Sequence, residues 1–189
     1  FEIAGKKQLE KEDELLSMID SAAWKFAEMA EAKNNLYAAL KHYSVALSVI
    51  KDKFPEIKKE TMEKVIEIYS RLPVKLKPPP IAVKYALEAE QCIDRNDIPR
   101  ARTALYNAIG VAPWWPEARY NFALLNGAGT PEAVRQMEVF LRLAPESPNA
   151  DIAREKIAGW QKILQEAVQR GAEIRKDFPF LIQPDKEGW

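Results

Sequence analysis

The chain has one cysteine, one histidine and seven glycines, and each scarcity removes a class of chemistry. Cys92 alone cannot close an intramolecular disulfide, so the redox compartment stays undetermined. Its place inside a helical apolar pattern fits a small buried hydrophobe better than a reactive thiol. His42 has no second histidine or cysteine at metal-ligand spacing, and reads as a surface or partly packed side chain rather than a ligand or general base. The glycines form no phosphate loop, and no nucleophile elbow or HExxH sequence occurs. Such an inventory leads us to expect no enzyme, no cofactor and no metal.

No apolar run approaches the roughly 20 residues that span a bilayer, so membrane insertion is not expected. The formal charge of zero removes a general pull toward nucleic acid or anionic lipid. Arg95, Arg100 and Arg102 have Asp94 and Asp97 among them and no interleaved aromatics, which argues against nucleic-acid binding. Carboxylates alternate with lysines, as in Lys58-Lys59-Glu60, in the manner of solvated helix faces. The chain opens on Phe1 without a basic stretch followed by an apolar one, which leaves open a removed targeting segment or a longer parent chain.

What is present is helical period almost throughout. Leu15, Met18, Ile19, Ala22, Phe26 and Met29 recur every three or four residues, the spacing of one buried helical stripe. Asn34-Asn35 interrupts it, and Leu40, Tyr43, Leu47 and Ile50 begin the next stripe. A helix after Pro55 carries Ile57, Val65, Ile66, Tyr69 and Leu72 on its apolar side and is expected to be a spacer covering the first unit. Lys77-Pro78-Pro79-Pro80 is a stiff connector rather than an SH3-type ligand, because its flanks lack a second spaced proline motif. Its last proline suits the first position of a helix.

The remaining elements are organised by a register that occurs twice. Ala89, Ala101, Leu105, Ala108 and Pro113 are followed by Ala123, Ala133, Met137, Phe140 and Pro145. A weaker third copy comprises Ala27, Ala39, Tyr43 and Ala46. The second copy is two residues shorter between its first two members, a loss that falls in Asn126-Gly127-Ala128-Gly129-Thr130, where glycines supply a tight backbone. This register, with Pro116-Glu117-Ala118-Arg119-Tyr120-Asn121-Phe122-Ala123, resembles the tetratricopeptide repeat (TPR), a helix pair of about 34 residues. In that motif Arg119 stands where Trp is usual. The resemblance implies an all-α, superhelical solenoid of antiparallel helix pairs with a C-terminal capping helix. Its units would be an N-terminal helical subunit over 1–72, a Pro-rich connector over 73–80, two repeats over 81–145, a cap over 146–175 and an apolar tail over 176–189. The cap has a seam of Ala153, Ile157, Trp160, Leu164 and Ala167, for which a coiled-coil dimer is the rival reading. The tail contains Phe178 to Ile182 and is expected to dock.

The resemblance also implies a mode of action. The first helix of each pair lines a concave face, where residues three and four apart meet an extended polypeptide. This gives Glu117, Tyr120, Asn121 and Leu124 in one repeat, and Val83, Ala86, Glu90 and Ile93 in the preceding one. The loose copy gives Ser21, Trp24, Glu28 and Glu31, although a shift of one position sends Trp24 to the core. Glu28, Glu90 and Leu124 disfavour the carboxylate clamp of chaperone-binding relatives, so the implied partner is a neutral or basic segment of another protein or peptide. Trp114 and Trp115 in the inter-repeat turn read as packing between repeats more readily than as an aromatic patch. The alternative is self-assembly into a homo-oligomer through the cap and tail. Segments such as Ala112 to Ala118 are similar in wording to bacterial TPR proteins, many of them exported, which implies the periplasm or cell envelope.

Overall fold

The computed structural model describes Met18, residues 21–50 and residues 54–177, the last seven by backbone alone. Everything regular among these residues is helix. Residues 21–32 form α1, followed by α2 (Leu36–Val49), α3 (Pro55–Arg71), α4 (Pro80–Asp94), α5 (Ile98–Val111), α6 (Pro116–Asn126), α7 (Pro131–Leu143) and α8 (Ala150–Asp177). Proline opens α3, α4, α6 and α7, where its missing N–H costs nothing and its fixed φ suits the first turn.

The turns explain where the helix pairs break. After α1, Asn34 sits at φ 54°, its N–H bonds Glu31 O at 2.8 Å, and the next N–H bonds Ala30 O at 2.8 Å. After α4 the same closure recurs at Asn96, φ 57°, with N–H bonds to Ile93 O and from Asp97 to Cys92 O, each 2.8 Å. Asparagine tolerates the left-handed backbone that this helix ending requires. Asn35 and Asp97 then cap α2 and α5 by accepting from the N–H groups of Ala38 and Arg100. The shortened turn between α6 and α7 uses Gly127 and Gly129, at φ 83° and 78°.

Small residues set how closely the paired helices approach. Ala27, Ala39 and Ala46 are sealed from solvent in the first pair, as are Ala89, Ala101 and Ala108 at the matching places in the second. The large residues of the first stripe behave otherwise, and Leu15 and Ile19 of that stripe lie outside the described residues. Met18, Phe26 and Met29 are each more than half exposed, and Ala22 is exposed, so the expected stripe faces outward. The buried side is Ala23 and Ala27, because a close helix crossing admits alanine and excludes phenylalanine. Ile57 of α3 is also exposed, although Val65, Ile66, Tyr69 and Leu72 are buried as expected.

Among the described residues three apolar clusters hold the helices together. One spans α4, α5 and α6 through Ala89, Leu105, Ala118 and Phe122. Another joins α6 and α7 to α8 through Ala123, Met137, Phe140, Ala153 and Trp160. The third centres on Leu40, Tyr43, Val65 and Ile68, yet it also takes in Ala82, Ala112, Trp114 and Leu143. Those four lie at the start of α4, just past the end of α5, and at the end of α7, which share one edge of an antiparallel array. α2 touches α5 there and α3 touches α7. The spacer therefore does more than cover the first unit: it braces the N-terminal helices against that edge. At the other end α8 packs by the expected seam from Ala153 to Leu164, whereas Ala167 is exposed because the helix there has run past α6 and α7, and α8 continues past Gly171 to Asp177. Residues 165–170 are exposed along its far part. Phe178 to Ile182 lie outside the described residues.

Candidate interaction face

On α6, Glu117, Asn121 and Leu124 are exposed and follow one another at helical spacing. Tyr120 lies between them but is half-buried, its ring tilted against Phe140 at 5.0 Å between centroids. The tyrosine therefore flanks the face and helps to pack α7. On α4, Val83, Glu90 and Ile93 are exposed, and Leu87, which the sequence reading did not select, is 52% exposed. Ala86 is half-buried against the α4–α5–α6 cluster, so a methyl group offers little beyond that contact. The two helices thus combine outward apolar side chains with carboxylates. Buried Ala82 and Ala89 hold α4, and buried Ala118, Phe122 and Ala123 hold α6.

Of the N-terminal positions, Trp24 and Glu31 are engaged in contacts among the first helices. Trp24 is half-buried and meets Tyr43 edge-on at 5.1 Å, while its Nε1 donates to Glu28 at 3.1 Å. This tryptophan packs against the N-terminal cluster without being sealed in it. Glu31 is committed elsewhere too. It accepts from the Tyr43 hydroxyl at 3.3 Å and pairs with Arg71 at 2.9 Å and Lys64 at 3.6 Å, tying α1, α2 and α3 together. Burial first, and the Glu31 carboxylate second, push the Tyr43 hydroxyl well above its usual range. Ser21 and Glu28 remain exposed. Trp114 is buried in the N-terminal cluster and Trp115 touches two clusters, so both act in packing.

The residue that pattern reading missed is Arg119. It is 4% exposed, and its Nε donates to Pro113 O at 2.7 Å. One terminal nitrogen donates to Gln136 Oε1 at 2.5 Å and the other to Met62 Sδ at 3.2 Å. None of these acceptors is a carboxylate. Gln136 relays charge instead: its amide nitrogen donates to Glu132 Oε1 at 2.8 Å, and Glu132 also binds Arg135. Burial, with a smaller push from Arg135, pulls the guanidinium down to about 9, so it still carries its proton at neutral pH. The available signal was position, since Arg119 lies one residue from Ala118 and four from Ala123 on the packed side of α6.

Two further interactions link α3 to α6 and α7. Burial first, then the Glu117 carboxylate, raise the Tyr69 hydroxyl, which places α3 within reach of the field of α6. Glu63 of α3 meets Arg142 of α7 in a forked ion pair, with one arm at 2.6 Å. Among the described residues no group of three His, Cys, Asp or Glu could hold a metal ion, and no helix is long and apolar enough to cross a membrane. No family model, no curated protein and no solved structure matches the chain.

Proposed function

We propose that the chain is a TPR-like scaffold that binds a neutral or basic polypeptide segment along α4 and α6 and catalyses no reaction. The repeated buried alanines and the shared asparagine turn support the repeat reading for the helix pairs. The binding reading is carried by one observation: Val83, Leu87, Ile93 and Leu124 stay exposed beside Glu90 and Glu117. Apolar side chains supply contact area, and the two carboxylates repel an acidic ligand while attracting a basic one. Asn121 adds an amide that can pair with both the donor and the acceptor of an extended backbone. Tyr120 contributes the part of its ring left open beside Phe140.

A second reading is self-association through α8 and the tail. It is favoured by the exposed far part of α8, where Val168 is 67% exposed. Two experiments test these readings. An array of neutral, basic and acidic peptides should retain the chain on the first two classes and not on the third. Sedimentation at several concentrations should show one monomeric species, whereas a concentration-dependent dimer would favour the second reading.

A further inference from the structure

Where Met62 of α3 meets Arg119 of α6, a guanidinium is buried with no carboxylate bonded to it among the described residues, and α3 is anchored unevenly. Its second half is sealed into the N-terminal cluster, with Val65 and Ile68 fully buried and Ile66 and Tyr69 nearly so. Its first half has Pro55, Glu56, Ile57, Lys59 and Glu60 exposed. Thr61 is buried, but its hydroxyl is spent on Ile57 O of the same helix at 2.7 Å. Its contacts across to the neighbouring helices include Met62, which packs on the N-terminal cluster and reaches Arg119 through Sδ. Lys64 pairs with Glu31 at 3.6 Å at the boundary of the two halves, and Glu63 meets Arg142 in an ion pair whose side chains are 46% and 48% exposed.

A thioether is a weak acceptor compared with water, and a buried charge that lacks an ionic partner keeps much of its desolvation cost. Arg135 of α7 adds like-charge repulsion in the same enclosed region. Opening the first half of α3 would hydrate Arg119 at the loss of the Thr61 and Met62 contacts, fewer than the second half makes through Val65, Ile66, Ile68 and Tyr69. That is the condition under which a segment opens locally rather than with the whole fold. We propose that residues 55–64 form a strap that hinges at Lys64 and exposes Arg119, while residues 65–71 stay docked. Glu63 and Arg142 form its latch, with Lys59 the further charge that acts on Glu63.

The strap does not depend on the binding reading, because its test needs no ligand. Hydrogen exchange on the full chain, resolved for the amides of residues 60–64 and of residues 69–71, whose carbonyl partners four residues back also lie in the docked half, reads both halves past the first helical turn, which frays in any helix. In the parent, residues 60–64 should exchange about tenfold or more faster. Glu63→Gln should speed exchange of that half alone by about threefold or more. The double variant Arg119→Met with Gln136→Leu removes the charge together with the amide it would otherwise orphan, and should narrow the difference between the halves. Equal exchange in the two halves of the parent would overturn the strap. A difference unchanged in the double variant would overturn the role given to the buried charge, and unchanged exchange in Glu63→Gln would overturn the latch.

Discussion

Met62 of α3 and Arg119 of α6 lie 57 positions apart in the chain and meet through an N–H···S contact of 3.2 Å. The contact joins the N-terminal helices to the edge of the later pairs at a point where sequence periodicity carries no information. It also fixes what surrounds Arg119: a backbone carbonyl, an amide and a sulfur. Removing one of these acceptors should therefore be costly. Gln136→Leu leaves one arm of a buried guanidinium unpaired and is expected to lower stability by about 1–3 kcal/mol. Arg135→Ala, at an exposed position, should stay within about 0.5 kcal/mol. Denaturant unfolding of both variants measures the contrast, and similar midpoints would mean that Arg119 is not held in this way.

The alanine register gives a second test. Ala108 is fully buried, and Ala108→Leu forces volume into a close-packed crossing at an expected cost of about 1–3 kcal/mol. Ala46→Leu, at the matching place in the first pair, should behave alike, since Ala46 is equally buried. Lys162→Ala on the outer side of α8 should change little. Thermal midpoints report all three, and a parent-like midpoint for Ala108→Leu would remove the register as a packing device.

Acid sensitivity should depend in part on Glu63. The hydrogen bonds from Arg142 lower its folded value below the usual carboxylate range, and burial opposes them only partly. A carboxylate with a depressed folded pKa contributes stability that is present above its unfolded value, near pH 4.3. That contribution is lost as pH falls through the folded value. The pair is nearly half exposed, so the effect is modest and screened by salt. Glu63→Gln should flatten the decline in stability below about pH 4.3, most visibly at low ionic strength. An unchanged acid slope would show that the pair contributes nothing to the acid limb.

Much of the fold was legible because its signals are local. Pro55, Pro80 and Pro116 mark helix starts, Asn34-Asn35 marks a turn, and Gly127 and Gly129 account for the two missing residues. The apolar stripe of α8 identified its packed side. The orientation of α1 was misread, since Met18, Phe26 and Met29 share the spacing of a buried stripe while the neighbouring alanines make the close contact. Periodicity says which residues share a side and not which side is covered. Bracing by α3 was illegible for the same reason, as a stripe names no partner. At the candidate face the spacing of Glu117, Asn121 and Leu124 on α6 was readable. The half-burial of Tyr120 and Ala86 was not, because it depends on Phe140 and on the α4–α5–α6 cluster.

The most direct test of the binding reading is a titration of the parent, Asn121→Ala and the double variant Glu90→Lys with Glu117→Lys against one basic and one acidic peptide retained from the array or matched to it. Asn121→Ala should weaken the basic peptide by about 1–2 kcal/mol without altering the melting temperature. The double variant should weaken the basic peptide and strengthen the acidic one, with the larger effect at low salt. Unchanged affinities across all three proteins would contradict the proposal and move binding to another surface.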